Sequence, residues 1–311
     1  MEKRNFISVI IPTYNRCHDL KNTLNSLLRQ RIIDDLDFEI IIVDNNSNDQ
    51  TSDLVKGYIE RFHRELKYFF EPKQGKLFAL NHGIDEAHGN ILAFTDDDCI
   101  IQEDWVENIN RNFIKHNFDM LCGKIIPIFN APKPKWLDLN VNVYKGPYVC
   151  FDLGDQYIDN SVKDILPTGA NVILKRNSLE KFGGYSSTRR SEDTDLGYRW
   201  QQQGAKIAYA PDVIVYHVTP ESRLNKNYVR RWQFLCGKNS AEIFKEENKI
   251  GRKLFGVPFY IYKGALLSVS RYLKSALLFQ KDSFVRELWV WFNLGVIWNY
   301  WGQKTHFENL R

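Results

Sequence analysis

The chain of 311 residues has five cysteines, and no two of them stand as Cys-x-x-Cys. Cys17, Cys99, Cys122, Cys150 and Cys236 therefore suggest neither a zinc ribbon nor a disulfide framework. An odd, scattered set reads as reduced thiols in a cytosolic setting. No window of 18 apolar residues runs free of charge, so no transmembrane span is expected. The opening Met-Glu-Lys-Arg-Asn leads straight into an apolar strand, without the pattern of a signal peptide. A dominant charge is also missing: 42 Lys and Arg against 38 Asp and Glu leave a net +4, too even for a nucleic-acid partner. Repeats and low-complexity tracts are absent. The loop after the first apolar run is not Gly-x-Gly-x-x-Gly. Without that phosphate turn, an NAD-dependent oxidoreductase is a poor fit.

What remains is the pattern of a globular α/β protein of one or two domains. Apolar runs at 6–12, 38–43, 66–70 and 91–95 alternate with helical spacing at 18–30, 50–62 and 76–87. Leu20, Leu24, Leu27 and Leu28 share one helix face, and Leu54, Tyr58 and Phe62 another. Such alternation predicts a mostly parallel, doubly wound sheet. Beyond it the spacing predicts a helix at 105–115, strands at 120–128, 165–174 and 206–210, and a helix at 192–203. Residues 130–160 lack a period and read as a long substrate loop. From Tyr228 onward the pattern is helical.

The fourth apolar run ends in Asp96-Asp97-Asp98. Carboxylates at the carboxyl end of a buried strand lie where open α/β sheets bind ligands. Three adjacent acids repel one another, and a divalent cation shared with substrate phosphates would relieve them. The bland alternative is the acidic N-cap of a helix starting near Glu103. Asp44, ending the second strand, could bond a nucleoside or merely cap a turn. Lys76 opens a helix, where it opposes the dipole unless an anion such as a diphosphate sits there; otherwise it is solvated. Glu192 and Asp193 fall at a helix start that favours an ionised base, or else they are ordinary caps with Asp195 as surface charge. His217 follows the apolar Val213-Ile214-Val215-Tyr216 and reads as a packed residue or as a third metal ligand.

Taken in order, these pieces resemble a family 2 glycosyltransferase. They are Ser8-Val9-Ile10-Ile11-Pro12-Thr13-Tyr14-Asn15, Ile42-Val43-Asp44-Asn45-Asn46-Ser47, Gly75-Lys76 with Ala79-Leu80-Asn81-His82-Gly83-Ile84, and Asp96-Asp97-Asp98. Thr168-Gly169-Ala170-Asn171 and Glu192-Asp193-Thr194-Asp195-Leu196 complete the set, which runs to about residue 241.

The resemblance implies a GT-A fold, a Rossmann-like α/β sheet with a helical C-terminal extension. Residues 1–225 would form the catalytic domain, its nucleotide half about 1–100 and its acceptor half about 101–225; residues 226–311 would form the helical region. It implies an inverting transfer from a nucleotide-sugar, with a UDP-sugar favoured, to a glycan or lipid-linked hydroxyl in cell-surface polysaccharide or glycoconjugate synthesis. Pro12, Thr13, Tyr14, Asp44, Lys76, Asp96 and Asp97 would hold the nucleotide. Asp96, Asp98 and His217 would hold Mn²⁺ or Mg²⁺. Asp193 would be the base, with Glu192 as its competitor. Arg231 and Trp232, in Tyr228-Val-Arg-Arg-Trp, resemble the Gln-x-x-Arg-Trp of processive synthases and would contact acceptor or diphosphate. The Gln is replaced by Tyr228 and clear membrane spans are lacking, so addition of one sugar at a time is expected. A non-catalytic nucleotide-sugar or glycan-binding relative is the alternative.

Residues 258–280 are apolar with Lys263, Arg271 and Lys274 interspersed, and Trp289, Trp291, Trp298 and Trp301 follow. That mixture suits a helix lying on a membrane surface, a helical cap, or a homodimer face. The expected location is cytoplasmic, peripheral on the inner face of the cytoplasmic membrane.

Overall fold

The computed structural model describes residues 5–32, 36–161, 165–186, 192–246 and 252–302. Its contacts divide the chain into two units: 1–128 with 148–219, and 129–147 with 220–311. Residues 129–147, which take in the first part of the stretch read from sequence as a substrate loop, thus group with the second unit.

In the first unit, strands β1 (Phe6–Thr13) and β2 (Asp37–Asp44) are buried almost throughout. A strand buried on both faces needs a layer on each side. The period of two supplies this in β1. Ile7, Val9 and Ile11 pack into one core with Leu20 and Leu24 of α1 (Cys17–Leu27), Val55 of α2 (Thr51–Ile59) and Trp105 of α4 (Trp105–Lys115). Ile10 packs into the other, with Ala79 and Leu80 of α3 (Lys76–Glu86). Leu196 and Trp200 of α7 (Glu192–Gln202) join the second core.

The parallel block of the sheet is β3-β2-β1-β4, with β3 at Glu65–Phe70 and β4 at Ile91–Phe94. Past β4 come β8 (Val172–Lys175) and β6 (Met120–Phe129), both in antiparallel pairings. Next comes β9 (Ile207–Thr219), which pairs antiparallel with β7 (Ile158–Asp159) and with β5 (Cys99–Ile101), the last strand in the order. Helix α6 (Arg176–Phe182) follows β8. Register pairs Thr13 with Asp44 and Ile10 with Phe94, so the carboxyl ends of β1, β2 and β4 share one edge of the sheet.

Two departures from the spacing matter for the site. The strand expected at 165–174 is only Val172–Lys175, because Pro167 and a 3₁₀ turn at Gly169–Asn171 replace its first half. The strand expected to stop at Ala210 instead runs through Pro211 to Thr219, which places His217 within a strand opposite Cys99.

The second unit holds α5 (Asn142–Lys145), α8 (Lys226–Glu246), a short hairpin of β10 (Lys253–Leu254) and β11 (Val257–Pro258), α9 (Phe259–Leu277) and α10 (Ser283–Tyr300). Helices α8 and α10 pack closely because Gly237 faces the Phe292 carbonyl and Gly295 the Phe234 carbonyl; a Cβ at either would overlap backbone. Arg230 forms a fork on Glu287, at 2.6 and 3.0 Å, and its guanidinium lies 5.4 Å from the Phe284 ring. No described helix is long and apolar enough to cross a membrane.

Candidate active site

The shared strand edge gathers three loops. The β1 loop is tied to the β2 loop by Asn15 N–H donating to Ser47 Oγ and Asn48 N–H to Asn15 Oδ1, both at 2.8 Å. The β2 loop is tied onward by Asn45, whose amide reaches the Lys73 carbonyl at 2.7 Å and whose Oδ1 accepts from Gly75 N–H at 2.7 Å. These bonds fix the start of α3 beside the end of β4.

The three aspartates then take three different partners. Asp96 Oδ1 meets Lys76 Nζ at 2.6 Å. Asp97 Oδ2 accepts from Thr13 Oγ1 at 2.8 Å, and its Oδ1 lies 3.3 Å from Arg16 Nη1. Asp98 is bonded to Arg16 through Oδ2 and to His217 Nε2 through Oδ1, the latter at 3.2 Å. Burial disfavours both buried charges, and the environments then part them. Asp97 is pushed up, by burial first, against the pull of Arg16. In Asp98 the hydrogen bonds and charges of His217 and Arg16 outweigh burial and hold the carboxyl well below the usual range.

The triplet is not a helix cap. Strand β5 follows it directly, and α4 starts only at Trp105 after Asp104. One donor atom from each of Asp96, Asp98 and His217 lies within 4.8 Å of the others. Two carboxylates and an imidazole suit Mn²⁺ or Mg²⁺ with coordination to spare. Among the described residues the buried Nδ1 of His217 has no hydrogen-bond partner.

Asp193 and Glu192 occupy the first turn of α7, as expected from their spacing. Ser191, which precedes them in the motif, is outside the described residues. The carboxyl of half-buried Asp193 accepts a backbone N–H from Gly169 and is pushed up to about 6. Burial is the main cause; Asp96 and Glu192 add to it, and Lys76 opposes them. A Cβ at Gly169 would overlap the Asp193 carboxylate and push it from this position. The Gly169 turn is anchored by buried Asn171, which accepts from Trp105 Nε1 at 3.0 Å and donates to the Lys124 and Val213 carbonyls. Asp195 is no surface charge: it is buried and bonded to Arg199 Nε at 2.6 Å.

The other expected site residues divide. Pro12 and Thr13 are buried at the end of β1, while Tyr14 is exposed beside them. Asp44 is buried with both oxygens engaged: Oδ1 caps Ser47 N–H at 2.9 Å and Oδ2 accepts from Tyr68 OH at 2.7 Å. Its turn-capping role is thus realised, and burial together with Asp44 pushes the Tyr68 hydroxyl up to about 12. Lys76 is not simply solvated: its side chain is largely covered, and its ammonium pairs with Asp96 at the same edge. Arg231 and Trp232 lie on α8 of the second unit, Arg231 exposed and Trp232 packed on Gly146. Two residues at this edge had no assigned role in the sequence: Asn45, which ties the β2 loop to α3, and Arg16, which bonds Asp97 and Asp98. The signal for Arg16 is a cation in the β1 loop, but its meaning depends on β1 lying beside β4.

A model of glycosyl transferase family 2 matches residues 8–183, more than half of the chain. Glycosyltransferase AglE of Haloferax volcanii is 26% identical over 274 residues, covering 88% of this chain and 85% of the relative. Succinoglycan biosynthesis protein ExoM of Rhizobium meliloti is 23% identical over 244 residues, 78% of this chain and 76% of the relative. Among solved structures, the mannosyltransferase PcManGT from Pyrobaculum calidifontis, in complex with GDP-Man and Mn²⁺, shares the fold. It has a TM-score of 0.65 and 18% identity, over 97% of this chain and 89% of that one.

Proposed function

The chain belongs to glycosyl transferase family 2, has the GT-A fold and is a glycosyltransferase, and from that premise we propose an inverting, metal-dependent transfer from a nucleoside-diphosphate sugar to a single hydroxyl. The observation that carries this reading is the convergence of Asp96, Asp98 and His217 at the end of β4, on the edge that also holds Thr13 and Lys76. Asp193, coupled electrostatically to Lys76 and Asp96, supplies the base.

In the proposed reaction Asp193 accepts the acceptor hydroxyl's proton as that oxygen bonds the anomeric carbon, and the carbon–oxygen bond to the diphosphate breaks. One base and no carboxylate nucleophile give a single displacement with inversion. A carboxyl near 6 is mostly ionised at pH 7, roughly ten to one, yet more basic than an ordinary carboxylate. Asp96, Asp98 and His217 would hold the divalent ion, whose contribution when bound is to stabilise negative charge on the departing diphosphate. Thr13, Asp44 and the Asp97 carboxyl would orient the nucleoside. Lys76, released from Asp96, would face the diphosphate.

A UDP-sugar is the favoured donor, and the complex of PcManGT with GDP-Man makes a GDP-sugar the first comparison. The acceptor class is a glycan or a lipid-linked sugar, in line with the named role of ExoM in succinoglycan biosynthesis. No observation favours a non-catalytic binding protein. The test is a thermal-shift screen of UDP-, GDP-, dTDP- and CMP-sugars with and without Mn²⁺, followed by transfer assays with the donor that stabilises. A metal-dependent shift with one nucleotide is expected. No shift with any donor, with or without metal, would remove the reading.

A further inference from the structure

We infer that α9 and the hairpin before it form a docking surface for an anionic lipid bilayer. This inference uses no residue of the proposed active site and fails or stands apart from it.

Helix α9 is inverted relative to an ordinary surface helix. At 100° per residue its protected side carries Ile261, Gly264, Ala265, Ser268, Tyr272, Ser275 and Ala276, mostly small. Its open side carries Phe259, Leu266, Leu273 and Leu277, with Leu266 70% and Leu277 77% exposed. A soluble helix buries its large apolar residues and shows its polar ones. A contiguous apolar face of this kind marks an interaction site.

Two exposed aromatic residues flank α9 in the chain. Phe255 at the hairpin tip is 81% exposed and Phe279 after α9 is 94% exposed. Both hold a left-handed backbone, with φ of 47° and 49°. Glycine or asparagine suits such positions, and a bulky side chain there is strained. Folding therefore gains nothing from either phenyl ring, neither by burial nor by conformation.

Charge identifies the occupant. From Arg252 to Lys281 the chain has Arg252, Lys253, Lys263, Arg271, Lys274 and Lys281 and no acidic residue. All six basic side chains are exposed. A twofold contact between copies would set this patch against itself, cation on cation. An anionic bilayer satisfies both parts: phenyl and leucyl groups enter the interface, and the Lys and Arg heads reach the phosphates.

Vesicle flotation of the full chain tests this. The chain is expected to float with phosphatidylglycerol–phosphatidylcholine vesicles at low salt, and far less with phosphatidylcholine alone. Each basic residue near the surface is worth about fivefold in partitioning. The combined Lys263→Gln, Arg271→Gln, Lys274→Gln variant should therefore bind about 100-fold more weakly. The combined Phe255→Ser, Leu266→Ser, Phe279→Ser variant should lose the binding that survives in high salt. All six positions are exposed, and circular dichroism of each variant checks its fold; the salt titration of the unaltered chain stands without either variant. Indifference to vesicles, equal binding to neutral and anionic vesicles, or a dimer broken by Leu266→Ser would each overturn the proposal.

Discussion

The edge of the first unit's sheet buries charge, with Asp97, Asp98 and His217 nearly inaccessible and each carboxylate held by a cation, whereas α9 of the second unit leaves leucines in water. The two regions break the usual rule of burial in opposite directions. Buried carboxylates cost free energy unless partnered, so the sheet edge keeps Arg16, Lys76 and His217 close to its acids. Exposed leucines cost nothing comparable in structure, but they leave apolar area in water that a partner could cover. In both regions the departure is one that the proposed ligand would relieve. For the sheet edge that ligand carries charge; for the helix it is apolar with an anionic rim.

The comparison is tested most strongly at Asp193. Asp193→Asn keeps the shape and removes the proton affinity, so the transfer rate should fall by about 10²–10⁴ while donor binding survives. The unaltered enzyme should lose kcat/KM as pH falls through about 6, because the base must be ionised to work and burial has raised its carboxyl to that value. Rate measurements from pH 5 to 8 should show about a tenfold decline between pH 7 and pH 5. Should Glu192→Gln remove activity and Asp193→Asn leave it, the roles of the two acids are exchanged.

Arg16 probes the cost of buried charge directly. Arg16→Met leaves Asp97 and Asp98 without their guanidinium and should cost about 3 kcal/mol in the metal-free protein. Saturating Mn²⁺ should restore part of that loss. Denaturant unfolding with and without the ion measures both numbers, and unchanged stability would show that the pair does not hold the acids together.

The smallest effect is expected on α9. Leu266→Ser and Leu273→Ser should change stability by no more than about 0.5 kcal/mol, because both side chains already face solvent. Leu24→Ala, at a fully buried position of α1, should instead cost about 2–5 kcal/mol. Thermal unfolding of the three variants sets the two environments side by side, and a large loss at Leu266 would mean that its face is packed.

Much of this molecule can be read from local pattern. Apolar runs closed by Pro12 and Asp44, and leucines at helical spacing, mark β1, α1 and β2 within a few residues. The acidic triplet announces itself because no ordinary strand end needs three carboxylates. The partners of those carboxylates are another matter. Arg16 meets Asp97 and Asp98 only because β1 lies between β2 and β4, a pairing set by tertiary packing. His217 was legible as a residue after an apolar run, but Pro211 hid the continuity of β9 that sets it opposite Cys99. Lys76 suggested an anion at the start of α3, but the sequence did not show that Asp96 would lie within reach of its ammonium. On α9 the sequence shows an apolar helix studded with Lys and Arg. Which face is covered depends on how α10 packs, so the exposure of Leu266 and Leu277 could not be read locally.

The central claim is that the buried acidic cluster is a metal-dependent nucleotide site. Calorimetry of UDP and of GDP binding, with Mn²⁺ and with EDTA, on the unaltered chain and on Asp98→Ala tests it most directly. The account predicts that one nucleotide binds the unaltered chain much more tightly with Mn²⁺ than with EDTA, and that Asp98→Ala erases that difference while keeping its circular dichroism. Equal affinity in Asp98→Ala and the unaltered chain, with full transfer activity in EDTA, would contradict it.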